Sequence, residues 1–195
     1  MVALIVVLVV VAVLVLYVVY RFNRLIRLRV RTQEAWSDID VELKRRHDLI
    51  PNLVSTVQGY AAHERGVFEE VTQARSAAVS AAQVGNPTAM AGAEDALTGA
   101  VRHLFAVAEN YPELKAAQLF LNLQEQLTTT EDKVEFSRRF YNGNVRGFNT
   151  ALQRFPTNVL GAMLGFKPFA FFAAEAGDRE APTVQFAQAP PTTGS

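Results

Sequence analysis

Three histidines are the side chains of this sequence best suited to ligate a metal or to transfer a proton near neutral pH. They are His47, His63 and His103, and none belongs to an HExxH motif. His63 and Glu64 are adjacent, so a helix would direct them to different faces. The absence of cysteine excludes a thiol nucleophile, and no serine stands in a strand–turn–helix elbow. We therefore predict no catalytic residue, metal or cofactor. A metal-dependent hydrolase, with ligands gathered from several helices, is the disfavoured alternative.

A run of charged residues precedes a proline in the middle of an apolar pattern. The run consists of Lys44, Arg45, Arg46, His47 and Asp48, and the proline is Pro51. Proline inside a helix removes the hydrogen bond to the carbonyl four residues back, here that of His47, at a cost of about 3 kcal/mol. Three interpretations stay open: a bend in a long helix, a functional hinge or docking notch, and a helix that begins here with Asp48 as its cap.

Long helices are the elements that must position this run. From Trp36 onward, apolar residues recur every three to four positions, as one face of a helix requires. The spacing predicts a helix that ends before Gly85, with only Arg46 and Glu64 as charged residues on its apolar face. Because an isolated buried charge is costly, each should have a partner elsewhere. By residue type, the candidate partners for Arg46 are Glu109, Glu131 and Glu135.

Further helices follow along the chain. Asn86 and Pro87 suit the start of a second helix, which should end near Asn110. A third helix is predicted over about 113–155, since apolar residues recur there every seven positions; these are Phe120, Leu127, Val134, Tyr141, Phe148 and Phe155. A short fourth helix is predicted over Asn158 to Leu164, capped by Thr157. The predicted fold is all-α: a transmembrane helix followed by a long antiparallel three-helix bundle and a short fourth helix.

The N-terminus has the composition of a membrane span. Val2 to Tyr20 contain no charged residue, and a helix of this length would cover roughly 28 Å. No basic residue precedes this stretch and no small-residue cleavage site ends it, which argues against a cleaved signal peptide. We predict a transmembrane helix over 1–20, a basic juxtamembrane segment over 21–35, a bundle domain over 36–186 and a disordered tail over 187–195.

Basic residues next to the span predict its orientation. Five arginines follow it directly: Arg21, Arg24, Arg27, Arg29 and Arg31. Basic residues stay on the cytoplasmic side, so the N-terminus should lie outside and the bundle in the cytoplasm. These arginines should contact anionic lipid head groups. The remainder of the chain has more acidic than basic residues, so nucleic acid is not an expected partner.

Several blocks of this sequence resemble one family. They are LKRRHDLIPNL (Leu43–Leu53), GYAAHE (Gly59–Glu64), AENYPELKA (Ala108–Ala116), RRFYN (Arg138–Asn142) and FPTN (Phe155–Asn158). In order and spacing they resemble the LemA family of bacterial single-pass membrane proteins, from the anchor to about Phe186. The resemblance implies a short N-terminal anchor and a helical cytoplasmic bundle. It implies no enzymatic activity and no catalytic or cofactor residues, and it suggests links to envelope stress and to membrane proteases.

The function predicted from these observations is a membrane-anchored scaffold or adaptor that associates with itself and with other membrane proteins, such as a membrane protease. One candidate interaction surface combines the run from Lys44 to Asp48 with Arg138 and Arg139. The other is the aromatic segment with Phe166, Phe169, Phe171 and Phe172, which would either pack on the bundle or contact lipid or another subunit. A signal transducer hinged at Pro51 is the alternative.

Overall fold

The computed structural model describes residues 1–173, and every regular element in that part of the chain is a helix. The elements are α1 (Val2–Gln58), α2 (Arg65–Val84), α3 (Pro87–Ala108), α4 (Pro112–Ala116), α5 (Gln118–Gln153) and α6 (Thr157–Met163). The predicted all-α class is confirmed. The predicted tail and the last part of the predicted bundle domain lie outside the described residues.

The N-terminal part of α1 is long and apolar enough to cross a bilayer, and none of its most apolar stretch is buried inside the protein. This distinguishes it from the core helix of a soluble domain, which would bury such a surface. The same helix continues without a break into the bundle and ends at Gln58. The apolar stretch and the first bundle helix are therefore one element.

Residues 59–64 reverse the chain where the sequence predicts a continuous helix, so the prediction of one helix up to Gly85 is wrong at this point. The backbone N–H of Ala61 donates to the carbonyl of Val57 at 2.9 Å, and that of Glu64 donates to the carbonyl of Ala61 at 3.0 Å. Val57 and Ala61 are both buried. The turn is thus packed into the end of the core, and α2 returns along α1.

The start of α3 follows the prediction. Gly85 has a φ of 69°, a left-handed conformation that glycine adopts readily and that ends α2. The side-chain oxygen of Asn86 accepts hydrogen bonds from the backbone N–H groups of Thr88 and Ala89, and Pro87 is the first helical residue. These contacts satisfy N–H groups that have no partner within the helix.

The predicted third helix is interrupted once. Ala117 is extended (ψ 120°) and separates α4 from α5. No interruption occurs at Thr128–Asp132, because the hydroxyls of Thr128 and Thr130 donate to carbonyls four residues back and leave the helix intact. The predicted fourth helix is present, but it begins at Thr157 without a side-chain cap from that residue.

Contacts between helices define two pairs, α1 with α5 and α2 with α3. Trp36 packs on Tyr141 and Glu42 lies beside Lys133, so α5 runs antiparallel to α1. One core cluster, around Leu53, Leu97 and Leu104, fills the end of the bundle near the 59–64 turn. The other, which includes Ile39, Leu43, Met90 and Phe172, lies nearer the apolar N-terminal stretch.

Pro51 lies inside α1, which continues to Gln58. The interpretation that a helix begins at this point is therefore wrong. The two remaining interpretations, a bend and a hinge, stay predictions.

Candidate functional site

A buried polar cluster separates the two core clusters. Arg46 and His47 come from α1 and Glu94 from α3, and each is at most 5% exposed. Glu94 Oε2 accepts from an Arg46 guanidinium nitrogen at 3.2 Å, and Glu94 Oε1 lies 2.6 Å from His47 Nε2. Because a carboxylate only accepts, the imidazole is the donor. Arg46 also donates to the Thr98 hydroxyl at 2.8 Å. Glu94 therefore joins α1 to α3 with both of its oxygens engaged.

Glu94 is the carboxylate that the sequence could not identify. Arg46 was expected to pair with Glu109, Glu131 or Glu135, and that assignment is wrong. The requirement itself is confirmed, because the guanidinium has an acidic partner on another helix. A buried charge that is paired and hydrogen-bonded avoids the desolvation penalty of an isolated one.

The hydrogen bond lost at Pro51 is replaced from outside the helix. Proline has no N–H, so the carbonyl of His47 has no donor four residues along α1. The Arg75 guanidinium on α2 donates to this carbonyl at 2.7 Å. A tertiary contact therefore compensates the backbone defect of α1. Nothing in the sequence pairs Arg75 with residue 47, because the reversal at 59–64 brings them together.

The remainder of the predicted charged run faces solvent. Lys44, Arg45 and Asp48 are exposed on the opposite side of α1 from Arg46 and His47. Helical residues are spaced about 100° apart around the axis, so Lys44, Arg45 and Asp48 fall on one side and Arg46 and His47 on the other. The run is therefore one buried pair and three surface charges.

Arg46, Arg138 and Arg139 line one groove, with a cavity of about 500 Å³ between α3 and α5. Arg138 lies 3.4 Å from Asp95, and Arg139 pairs with Glu135 one turn earlier on α5. The cations of this groove are thus neutralised by neighbouring carboxylates. One of these pairs, Arg138 with Asp95, joins α5 to α3.

The aromatic segment folds back onto the bundle. Asn142 and Asn149, two turns apart on α5, each pair with the backbone of this segment through both atoms of the amide. The backbone N–H of Phe172 donates to Asn142 Oδ1 at 2.9 Å, and the backbone N–H of Phe169 donates to Asn149 Oδ1 at 3.0 Å. The side-chain nitrogen of Asn142 donates to the carbonyl of Phe172 at 3.0 Å, and that of Asn149 donates to the carbonyl of Phe169 at 2.9 Å. These asparagines were missed, because helical asparagines resemble surface residues in a sequence.

Phe172 is the anchor of the segment. It is 1% exposed and packs on Trp36, with ring centroids 6.1 Å apart, while the Arg138 Cζ lies 5.0 Å from its ring centre. Phe169 is partly buried, and Phe171 is 41% exposed. Tyr141 donates to the carbonyl of Ala170 at 2.9 Å, and burial raises the pKa of Tyr141 to about 12. Of the two interpretations of this segment, packing on the bundle describes all of it except Phe171.

Glu64 precedes α2 instead of lying within a helix, and its partner is Tyr111. The Tyr111 hydroxyl donates to Glu64 Oε1 at 3.2 Å. Burial, together with the neighbouring Glu64 carboxylate, raises the pKa of Tyr111. This contact ties the 59–64 turn to the start of α4.

The histidines are distributed over separate contacts. His47 binds Glu94, His103 Nδ1 lies 2.9 Å from Glu70, and His63 is exposed in the turn. Within residues 1–173, histidine and acidic side chains form no group of three that could hold a metal ion.

The five juxtamembrane arginines follow the apolar stretch of α1. Arg24, Arg27, Arg29 and Arg31 are exposed, and Arg21 is half-buried. The Arg29 Cζ lies 5.4 Å from the ring centre of Phe166, which connects the basic segment with the aromatic one. Cations in this position are attracted by the face of the ring.

Comparison with known proteins identifies the family. The sequence pattern of the LemA family matches residues 35–186. The chain is 30% identical over 167 residues to Protein LemA of Metamycoplasma hominis, covering 84% of this chain and 74% of that protein. It is 26% identical over 192 residues to Magnetosome protein MamQ 1 of Paramagnetospirillum magneticum, covering 86% of this chain and 71% of that protein. It is also 26% identical, over 193 residues and with the same coverage, to Magnetosome protein MamQ of Magnetospirillum gryphiswaldense. None of these names describes an enzymatic activity. The chain belongs to the LemA family.

Proposed function

We propose that this protein is a membrane-anchored helical scaffold without catalytic activity, whose bundle lies in the cytoplasm of a bacterial inner membrane. The observation that carries the proposal is the continuity of α1, because it joins an unburied apolar stretch directly to the bundle. The buried polar groups support it as well. Arg46, His47 and Glu94 bind one another and hold helices together, as structural residues do.

The proposed orientation is tested by labelling single cysteines in a chain that has none. Val2→Cys places a thiol at the N-terminus, and Gln73→Cys places one on an exposed position of α2. A membrane-impermeant maleimide applied to spheroplasts should label the first variant, and should label the second only after lysis. Labelling of Gln73→Cys in intact spheroplasts, with Val2→Cys protected, would contradict the orientation.

We further propose that the scaffold self-associates through an exposed apolar patch formed by Val41, Phe136 and Phe140. These side chains are 64%, 71% and 51% exposed. The two phenylalanine rings stack nearly parallel, with centroids 6.5 Å apart. Large exposed apolar side chains grouped together are typical of protein–protein contacts. Copies anchored in one bilayer would meet side by side at this patch.

Phe136→Ser combined with Phe140→Ser is expected to shift the chain from oligomer to monomer, since burial of each ring contributes roughly 1.5–3 kcal/mol. The measurement is the mass of detergent-solubilised protein by light scattering over a range of concentrations. Leu119→Ser is the matched control, because Leu119 is 61% exposed but lies in the first turn of α5, away from the patch. Wild-type protein that is monomeric at all concentrations would refute self-association.

A further inference from the structure

A second groove lies where α1 leaves its apolar stretch. It encloses about 410 Å³ between α1 and the C-terminal part of α5. Four arginines line it, Arg21 and Arg24 from α1 and Arg146 and Arg154 from α5 and its C-cap. Buried Leu25 lies at its base, and Gly143 and Gly147 leave its α5 wall open.

The charge of this groove is not compensated. Among the described residues, none of the four arginines forms an ion pair, and no acidic side chain lines the groove. In the groove between α3 and α5, by contrast, the positive charge is compensated, because arginines there form ion pairs with Asp95, Glu131 and Glu135. Four like charges around one cavity repel one another, which favours an anionic occupant.

The surroundings place the groove at the level of a membrane surface. Arg21 directly follows the stretch that is apolar enough to span a bilayer. At the same end of the bundle, Phe155, Val159 and Met163 are 79%, 49% and 79% exposed. They are spaced four residues apart, from just before α6 to its last residue. Exposed apolar side chains beside a basic groove are typical of contact with the boundary between head groups and acyl chains.

We propose that this groove binds the phosphate head group of an anionic phospholipid. The inference rests on the proposed membrane anchoring and adds a defined site to it. Guanidinium groups bind phosphate oxygens through paired hydrogen bonds, and basic pockets beside membrane helices suit anionic head groups. The cavity volume lies within the usual range for small-molecule sites, roughly 300–1,000 Å³. Arg27, Arg29 and Arg31 do not line the groove, so its arginines are distinct from the general basic segment.

The test uses the full chain in nanodiscs of phosphatidylcholine with a small fraction of phosphatidylglycerol, and native mass spectrometry counts the phosphatidylglycerol retained. R146Q combined with R154Q should weaken retention at least about 30-fold, because two charge-assisted guanidinium–phosphate contacts within the groove are lost. R27Q combined with R31Q removes the same charge outside the groove and should retain the lipid. Equal losses in the two double variants would show diffuse attraction and overturn the site.

A second variant tests the cavity without changing charge. A Cβ added at Gly147 meets nothing within 4 Å, so Gly147→Leu should fill the groove without disturbing the fold. Gly99→Leu on α3, where a Cβ is equally unhindered, is the control. We expect Gly147→Leu to lose the retained lipid and Gly99→Leu to keep it. Retention by Gly147→Leu would overturn the proposal.

Flotation with vesicles of phosphatidylcholine alone separates the site from membrane anchoring. All variants should float with these neutral vesicles, because the apolar stretch of α1 is unchanged in each. A wild-type chain that floats but retains no phosphatidylglycerol would overturn the site alone. A wild-type chain that fails to float would overturn the anchored scaffold and the site together.

Discussion

Glu94→Ala is expected to lower the free energy of unfolding by about 3–5 kcal/mol, the usual cost of removing one partner from a buried ion pair. The substitution leaves the Arg46 guanidinium without its acidic partner and the His47 imidazole without its acceptor, both beneath the bundle surface. It also removes two of the three polar contacts that join α1 to α3 between the two core clusters. The measurement is urea-induced unfolding of the detergent-solubilised chain, followed by far-ultraviolet circular dichroism.

Asp95→Ala is the matched control, because Asp95 is the next residue on α3 and the side chains of its ion pair with Arg138 are 49% and 30% exposed. Exposed pairs contribute about 0–1 kcal/mol, so this variant should unfold close to wild type. Glu94→Gln keeps the shape of the side chain but removes its charge, and we expect an intermediate loss. Equal stability of Glu94→Ala and Asp95→Ala would show that the buried cluster does not stabilise the bundle.

Phe172→Ala should lower the free energy of unfolding by about 3–5 kcal/mol, the range measured for truncation of buried aromatic side chains. Phe172 is 1% exposed, and the cavity left by its removal would lie against Trp36 and Tyr141. The backbone groups that Asn142 binds remain in the alanine variant, so the loss falls on the packing of the ring against Trp36 and Tyr141. Trp36 is the sole tryptophan, so its fluorescence should shift to the red when water enters.

Phe171→Ala removes the same side chain from the neighbouring, exposed position. Surface substitutions usually change stability by no more than about 0.5 kcal/mol, and the emission of Trp36 should not change. If Phe172→Ala leaves both the unfolding midpoint and the Trp36 emission as in wild type, the segment does not pack on the bundle as the structure describes.

The parts of the fold that could be predicted are those where a regular helix repeats one spacing. Apolar residues seven apart in α5, from Phe120 to Phe148, are all buried as expected. Phe155 continues the same spacing but is 79% exposed, because α5 ends at Gln153. The spacing therefore predicts the buried face only within the helix that carries it.

The two helix breaks could not be read from the sequence for opposite reasons. Around the 59–64 turn, Val57, Val67 and Val71 keep the spacing of a continuous helix, so Glu64 is the one interruption and the reversal does not shift the pattern. At Ala117 the break falls on the residue type with the highest helix propensity. Packing of the turn and of α4 decides these positions, and tertiary contacts override local preference.

In the candidate site, the sequence predicted which chemical partner is needed but not which residue supplies it. The sequence predicted that Arg46 needs a carboxylate, because that follows from the cost of an unpaired buried charge. It could not select Glu94, since the choice depends on how α3 is placed after two reversals of the chain. Arg75, Arg146 and Arg154 were missed for the same reason: each meets α1 only through the folded arrangement of α2 or α5.

The unbroken path of α1 sets a distance scale for anything that binds the far end of the bundle. Between Arg21 and Gln58 a helix rises about 1.5 Å per residue, so with α1 along the membrane normal the 59–64 turn stands about 56 Å from the bilayer surface. A protein confined to the lipid plane with only short loops cannot touch that tip. Whatever docks there must be freely diffusing or carry a tall domain of its own.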